Sequence, residues 1–540
     1  MSDSPAQVDT DHRGEDLPVL SKSSANLQID KLLSTPMPSF DGTTPGSFFW
    51  SNFAYWISRR ILAVQFRTSE VTGIETLPLD RGNLCCAWHT NGLMDPLQIV
   101  LKHPNHFLMG GRHDLVTRPF LGWWTRKLAV QPVVRKAELL RGGCSEEEAT
   151  QINGRSLMML ATGISAGFGC VLFPEGTSHH GSSLLRFKTG PFRTVFAAAA
   201  LAKANDQPIP ALIPVGLHFR RRDHFRTDIW VEYDSPLEIQ GDEIPNDLVA
   251  AVAQGDWVEP AAENVYALRD ALRLKLAPLT PNTHDWDEYH ALHLLGHIEA
   301  KRANQPLLSW REEVEAARTF RTLLQPPFPD EKVIDNSELP VITHPVITPA
   351  KAASGLLQAQ QLDGRDLNTS ATDLRKIRPL RSIPKLVRLP LSVALLPLFL
   401  FCFIPQMALG RLLGDSTDEG VDARTSYHFL AAMFGSLMLW PFMALGALGI
   451  EHMNHDSVEL LIGFDWYSIY GATSLHETAA RVTFLFALMP CFWLSGRTSA
   501  LLWDDWCDLQ RALRRLRFNK TNRQNLRGAL KSIHAEMNKL

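Results

Sequence analysis

Two long stretches without a single charge constrain this chain more than anything else in it. Leu389 to Leu409 runs for 21 residues and Phe429 to Ile450 for 22 residues. A helix that crosses a bilayer needs about 20 predominantly apolar residues, whereas a helix on a soluble core keeps one polar face. We therefore expect two membrane helices. Pro390, Pro397 and Pro405 interrupt the first run, and a third run, Val482 to Gly496, is short at 15 residues. Flanking charge sets the orientation. Arg375, Lys376, Arg378, Arg381, Lys385 and Arg388 precede the first run without an acid, and Asp415, Asp418, Glu419 and Asp422 follow it. The excess of Lys and Arg marks the cytoplasmic side, so the large N-terminal part is expected there. From Cys507 onward there are nine Lys/Arg and two acids, which places the tail on the same side and suits it to anionic lipid headgroups. That outcome needs an even number of spans, so the third run is expected to be interfacial or re-entrant.

The rest of the chain has another character. With 54 Lys+Arg against 57 Asp+Glu, the near-neutral total of −3 argues against a nucleic-acid partner, which needs a strong basic surplus. Seven Cys, an odd number with no C-x-x-C, read as reduced thiols facing the cytosol. Residues 1–45 are rich in Ser, Asp, Thr and Pro and are expected to be disordered, and Met1 to Asp30 holds no apolar core of a signal peptide. Residues 46–70 set Phe48, Phe49, Trp50, Phe53, Tyr55 and Trp56 beside Arg59 and Arg60, the make-up of an amphipathic interfacial helix. Residues 71–325 alternate short apolar runs with helical stretches, as α/β domains do. The expected fold is a central, mostly parallel mixed sheet flanked by helices, with strands at 84–88, 130–134, 170–173, 209–217 and 228–233, followed by the C-terminal transmembrane helices. A Pro-rich stretch, 326–372, reads as an extended linker. The membrane region is placed at 373–500 and a basic cytoplasmic tail at 501–540.

The densest chemical signal is Ala87-Trp88-His89-Thr90-Asn91-Gly92-Leu93-Met94-Asp95. A His at the end of an apolar strand, with an Asp within two turns, can be held in one tautomer and act as a general base on a hydroxyl. Some 85 residues later comes Phe173-Pro174-Glu175-Gly176-Thr177-Ser178, then Arg186 and Lys188. A strand stopped by Pro-Glu-Gly, with hydroxyls and two cations behind it, is a cradle for phosphate.

These residues resemble the glycerolipid acyltransferase family, and four blocks carry the resemblance over about 80–235. They are His89 to Asp95, Leu128 to Arg135, Phe173 to Thr177 and Ile209 to Val215. The usual His-x4-Asp spacing is here His-x5-Asp, with Met94 where the Asp would fall. Ser178-His179 stands where Arg often follows Gly-Thr. Both departures resemble fungal-type glycerol-3-phosphate/dihydroxyacetone-phosphate acyltransferases. The resemblance implies that His89, oriented by Asp95, deprotonates an acceptor hydroxyl that attacks the acyl-CoA thioester without an acyl-enzyme. It implies substrate and phosphate contacts from Arg135, Glu175, Gly176, Thr177 and Ser178, with Arg186 or Lys188 supplying charge; Arg112 and Arg118 are further candidates. The acceptor it implies is glycerol 3-phosphate or dihydroxyacetone phosphate, or else lysophosphatidate or another lysophospholipid. Acyl-CoA is a co-substrate, no other cofactor and no metal is expected, and membrane lipids are the remaining partners.

Three other patterns compete. Gly163-Ile164-Ser165-Ala166-Gly167 matches the G-x-S-x-G elbow of serine lipid hydrolases, but helix precedes and strand follows, the reverse of an elbow. His290, His293 and His297 share one helical face as metal ligands do, on a helix whose leucines fit ordinary packing. Adjacent Cys85 and Cys86 read as buried, inert thiols. A noncatalytic membrane scaffold would not need His89, Asp95, Glu175 and Arg135 together.

Overall fold

A computed structural model describes residues 27–35, 44–134, 145–325, 339–376, 379–415, 421–453 and 474–540. Its centre is a seven-stranded sheet: β1 Phe66–Thr72, β2 Asn83–Ala87, β3 Phe107–Arg112, β4 Val130–Val133, β5 Gly169–Leu172, β6 Ala211–Phe219 and β7 Thr227–Tyr233, in the order β1-β7-β6-β2-β5-β3-β4. Only β6 and β7 pair antiparallel; every other neighbouring pair is parallel. The sheet is thus mixed and mostly parallel, as expected. Parallel strands need crossovers and are covered on both faces, which is why β2 is buried at all five positions. Cys85, Cys86 and Cys170 sit fully inside, where burial pushes each thiol up. The Ala-rich helix Gly190–Ala204 lies on the sheet through Ala197 to Ala200, all fully buried.

A second core forms beyond the sheet. Helices Trp286–Arg302, Ile347–Gln358 and Lys520–Met537 share it through Leu295, Ile298, Val346, Ala350, Leu526 and Ile533. Two expectations change here. The described part of the 326–372 linker carries a packed helix, because Pro349 falls in its first turn, where the missing N–H has no partner to lose. The basic tail is also built in. Arg511 and Arg515 pair with Asp366, and Arg523 with Asp373. Of the N-terminal segment expected to be disordered, 27–35 is described: Leu32 of helix Ile29–Leu33 packs against Val134, Ala149 and Ile152; 1–26 and 36–43 lie outside the described residues.

The apolar runs are all helical, but they divide differently from the expectation. Among the described residues, Thr425–Gly449 and Arg481–Leu516 are long and apolar enough to cross a membrane. The first run lies inside the 37-residue helix Pro379–Asp415. Near its start Arg388 pairs with Asp505 beside the catalytic domain. Past its end, Thr425 and Ser426 bond the loop that follows β2. Helix Pro379–Asp415 is thus tied near its start to helix Ser474–Leu516. Its Val393, Leu396, Leu400, Ile404 and Met407 form an exposed apolar stripe at three- and four-residue spacing, and Val387, Phe401 and Leu412 are exposed as well. The third run belongs to a 43-residue helix, Ser474–Leu516, that passes through Pro490. It continues beyond Gly496 because its charges find partners: Arg497 bonds the Ala63 carbonyl and Asp504 pairs with Arg226. The helix Phe48–Gln65 fills the space between, packing Ile57 against Met94, Trp124, Phe429 and Met433 while Phe48, Phe49 and Trp56 stay exposed.

Arg226 is the rivet of this junction. Only 4% of its side chain is exposed, and it donates to the carbonyls of Val64 and Phe66 as well as to Asp504. Removing one partner of a buried ion pair strands the other charge, at a cost of about 3 kcal/mol. Asp504→Ala is expected to lower the melting temperature of the detergent-solubilised protein clearly; an unchanged transition would show that the two parts are not joined through this pair.

Candidate active site

The register of two parallel strands creates the site. Cys86 of β2 stands opposite Leu172 of β5, so three residues later His89 and Glu175 leave the sheet side by side at its carboxyl edge. Open parallel sheets bind ligands at that edge. The contact is direct: the His89 backbone N–H donates to Glu175 Oε2 at 2.7 Å.

His89 is then fixed from its other side. Its Nδ1 lies 2.9 Å from Asp95 Oδ2, and the Thr90 and Asn91 N–H groups each donate to that oxygen at 2.7 Å. Asp95 sits in the first turn of helix Met94–Lys102 and is wholly buried, where the helix dipole favours a carboxylate. A carboxylate receiving these donors makes Nδ1 the protonated ring nitrogen and leaves Nε2 as the basic one. Among the described residues Nε2 has no hydrogen-bond partner, and 17% of the side chain is exposed. The ring stacks on Phe173 with centroids 4.0 Å apart and planes 13° apart. The longer His-x5-Asp spacing is absorbed by the loop, where Gly92 takes a positive φ of 35°. Met94 turns into the apolar contact with Trp124 and Phe429, and Asp95 faces His89.

Glu175 takes a different place from the one expected. Its carboxylate is buried beneath the turn rather than open to a ligand. It accepts from His89 N, from Leu185 N at 2.7 Å, and pairs with His179 Nε2 at 3.0 Å. It ties three chain segments together. Above it Gly176, at φ 72°, makes the turn, and Thr177 and Ser178 lie half-exposed beside it. Arg186 is exposed, and the Lys188 backbone N–H donates to the Pro174 carbonyl at 2.6 Å, which holds Lys188 against this turn. Arg135 lies outside the described residues. Arg112 and Arg118 both pair with Asp114.

Several contributors carry no signal in the linear sequence. Arg222, from the β6–β7 connection, donates to the carbonyls of Thr90 at 2.7 Å and His179 at 3.0 Å, clamping the two motif loops to each other. Thr425 Oγ1 donates to Asn91 Oδ1, and Ser426 Oγ accepts from Leu93 N at 2.9 Å. Both hydroxyls head the apolar stretch Thr425–Gly449. The position of Thr-Ser after an acidic loop is the one hint in the sequence, and it is a weak one.

The rival patterns resolve elsewhere. Ser165 is the last residue of helix Glu146–Ser165 and donates to the Thr162 carbonyl at 2.8 Å, which leaves no strand-turn-helix elbow. His293 stacks on Trp310, with burial pushing its imidazole down to about 3, and His297 faces Glu313 at 3.0 Å. Among the described residues no group of three or more His, Cys, Asp or Glu is arranged to hold a metal ion.

Comparison with known proteins bears on the same segment. An acyltransferase family model matches residues 68–216. Over 105 residues the chain is 33% identical to glycerol-3-phosphate O-acyltransferase 2 of Saccharomyces cerevisiae, which is 19% of this chain and 14% of that protein. The crystal structure of the 1-acyl-sn-glycerophosphate acyltransferase of Thermotoga maritima aligns with a TM-score of 0.24 and 18% identity, over 38% of this chain and 77% of that one. All four sequence blocks fall inside the matched segment, so residues 68–216 are similar to an acyltransferase domain.

Proposed function

We propose that this protein moves a fatty acyl group from acyl-CoA to the hydroxyl of glycerol 3-phosphate or dihydroxyacetone phosphate, in a membrane, as an early step of glycerophospholipid synthesis. The observation that carries the proposal is the His89–Asp95 pair at 2.9 Å with Nε2 unengaged among the described residues. In this reading Nε2 takes the proton of the acceptor hydroxyl while its oxygen attacks the thioester carbonyl. The tetrahedral intermediate then collapses, the C–S bond breaks, and the proton passes from His89 to the departing CoA thiolate. Asp95 stabilises the imidazolium between the two transfers, so no acyl-enzyme and no further cofactor are required. We place the oxyanion at the turn 176–178, because backbone donors fixed before the reaction stabilise developing charge best. Arg186, Lys188 and Arg135 are the cations proposed for the acceptor phosphate. Glu175 acts through His89, as a positioning residue.

A second acceptor, lysophosphatidate or another lysophospholipid, is favoured by one feature. The catalytic loop is bonded to the head of an apolar helix long enough to cross a membrane, so a lipid acceptor would meet His89 without leaving the bilayer. In either case the flanking charges support a catalytic domain on the cytoplasmic face.

Two measurements test the reading. In membranes containing the protein, His89→Ala is expected to reduce CoA release from acyl-CoA by about 10²–10⁴-fold, the usual worth of general-base assistance, with expression unchanged. Release supported by glycerol 3-phosphate assigns the first acylation and release supported only by lysophosphatidate assigns the second; turnover retained in the variant would refute the mechanism. Thr425→Val combined with Ser426→Ala removes two hydrogen bonds of about 1 kcal/mol each, and a loop left loose should lower kcat by about tenfold with little change in KM. An unaltered kcat would show that the apolar helix does not position the catalytic loop.

A further inference from the structure

A second basic site lies away from His89. A cavity of about 300 Å³ opens between helix Trp286–Arg302, the loop 306–308, the segment 363–375 and the end of helix Ser474–Leu516. Lys301, Arg365, Arg375 and Arg511 line it, with Asp508 as the acid among the lining residues. Behind this wall, Arg365 and Arg511 are neutralised by Asp363, while Arg511 and Arg515 share Asp366. Among the described lining residues, four cations stand against Asp508, with Asp363 and Asp366 behind Arg365 and Arg511 and Glu313 acting on Arg365.

The surplus falls on Lys301 and Arg375. Lys301 Nζ donates to the Leu367 carbonyl at 3.2 Å. The Arg375 backbone N–H donates to the Asp366 carbonyl at 2.7 Å, and Leu374 beside it is buried. The base of the side chain is thus anchored, while its guanidinium meets no carboxylate or carbonyl among the described residues. Burial lowers both groups, and a neighbouring cation, Arg515 for Arg375 and Arg375 for Lys301, lowers each further, against the smaller opposing pull of Asp366 on both, of Asp508 on Arg375 and of Asp363 on Lys301. Left to itself, such a surplus repels. A compact dianion with acceptor oxygens on several sides would remove the repulsion and take charge-assisted hydrogen bonds from both side chains.

The surroundings narrow the ligand. Leu307 and Leu308 line the mouth, and Leu308 is 86% exposed. Arg375 stands four residues before the helix Pro379–Asp415 with its exposed apolar stripe, and Asp508 and Arg511 follow directly on the Asp505 contact to Arg388. A cationic hole with an apolar lip, beside the apolar helices, matches a phosphate joined to something greasy.

We propose that this cavity binds a phosphate monoester dianion, supplied by a lipid headgroup or by a soluble phosphate, at a site separate from the catalytic one.

The test is the melting temperature of the full-length protein in neutral detergent at fixed ionic strength, because a ligand that binds the folded state raises it with concentration. The probes are inorganic phosphate and short-chain phosphatidate in mixed micelles, each against a phosphatidylcholine blank. Wild type is compared with Arg375→Gln, which breaks no observed ion pair, and with Lys531→Gln, an exposed change of the same charge. The catalytic centre contributes equally in all three. Wild type and Lys531→Gln are expected to show the same rise, and Arg375→Gln to need about ten times more ligand for it. A larger rise with phosphatidate assigns the lipid source, and an equal rise with both probes assigns soluble phosphate. Identical rises in all three proteins, including none, would overturn the proposal.

Discussion

The arrangement of this site depends on how two short parallel strands are aligned. Once Cys86 is opposite Leu172, His89 and Glu175 must emerge together, although 86 residues separate them. A slip of one residue would turn every side chain of β2 to the other face. Such a slip is prevented by the complete burial of β2, whose flanks are β5 on one side and β6 on the other. The hydrophobic core thereby sets a position in the active site that no local loop preference could hold.

Two buried carboxylates then divide the work. Asp95 addresses the His89 ring and Glu175 addresses its backbone, so the residue is held at both ends with its Nε2 outward. Neither carboxylate faces a ligand, and a phosphate would be repelled by one that did. The exposed cations near this turn are instead Arg186 and Lys188. The same separation recurs near the second core, where Asp363 and Asp366 organise Arg511 and Arg515 at the end of helix Ser474–Leu516, leaving Arg375 outward.

How much of this was legible follows from where the constraints lie. Strands β2, β4, β5, β6 and β7 were readable because each is a short apolar run bounded by loop signals. Strand β1, Phe-Arg-Thr-Ser-Glu-Val-Thr, was not. It is an edge strand with three consecutive exposed positions, so its alternation is lost. Strand β3 ends in Gly110-Gly111, which reads as a turn; glycine is used there because Leu172 and Val130 crowd any added side chain. The His89–Asp95 pair could be read from its local spacing. Arg222, Thr425 and Ser426 could not, since their relation to the loop exists only after the chain has folded back across 132 residues for Arg222 and more than 330 for the others. The apolar runs were visible as composition, but the ion pairs that tie their helices to the rest of the fold, Arg388–Asp505 and Arg226–Asp504, were not.

The hydroxyl contacts from Thr425 and Ser426 to the β2 loop also order events in time. Chains are made from the amino end, and domains fold as units while synthesis continues. Every strand of the sheet, and both halves of the His89–Asp95 pair, are complete by residue 233. The hydroxyls that brace the loop arrive nearly 200 residues later. A nascent chain therefore carries His89 and Asp95 long before the loop between them is secured, and the last fastening comes with an apolar helix long enough to cross a membrane. Completion of the catalytic loop is in this way tied to the emergence of that apolar helix.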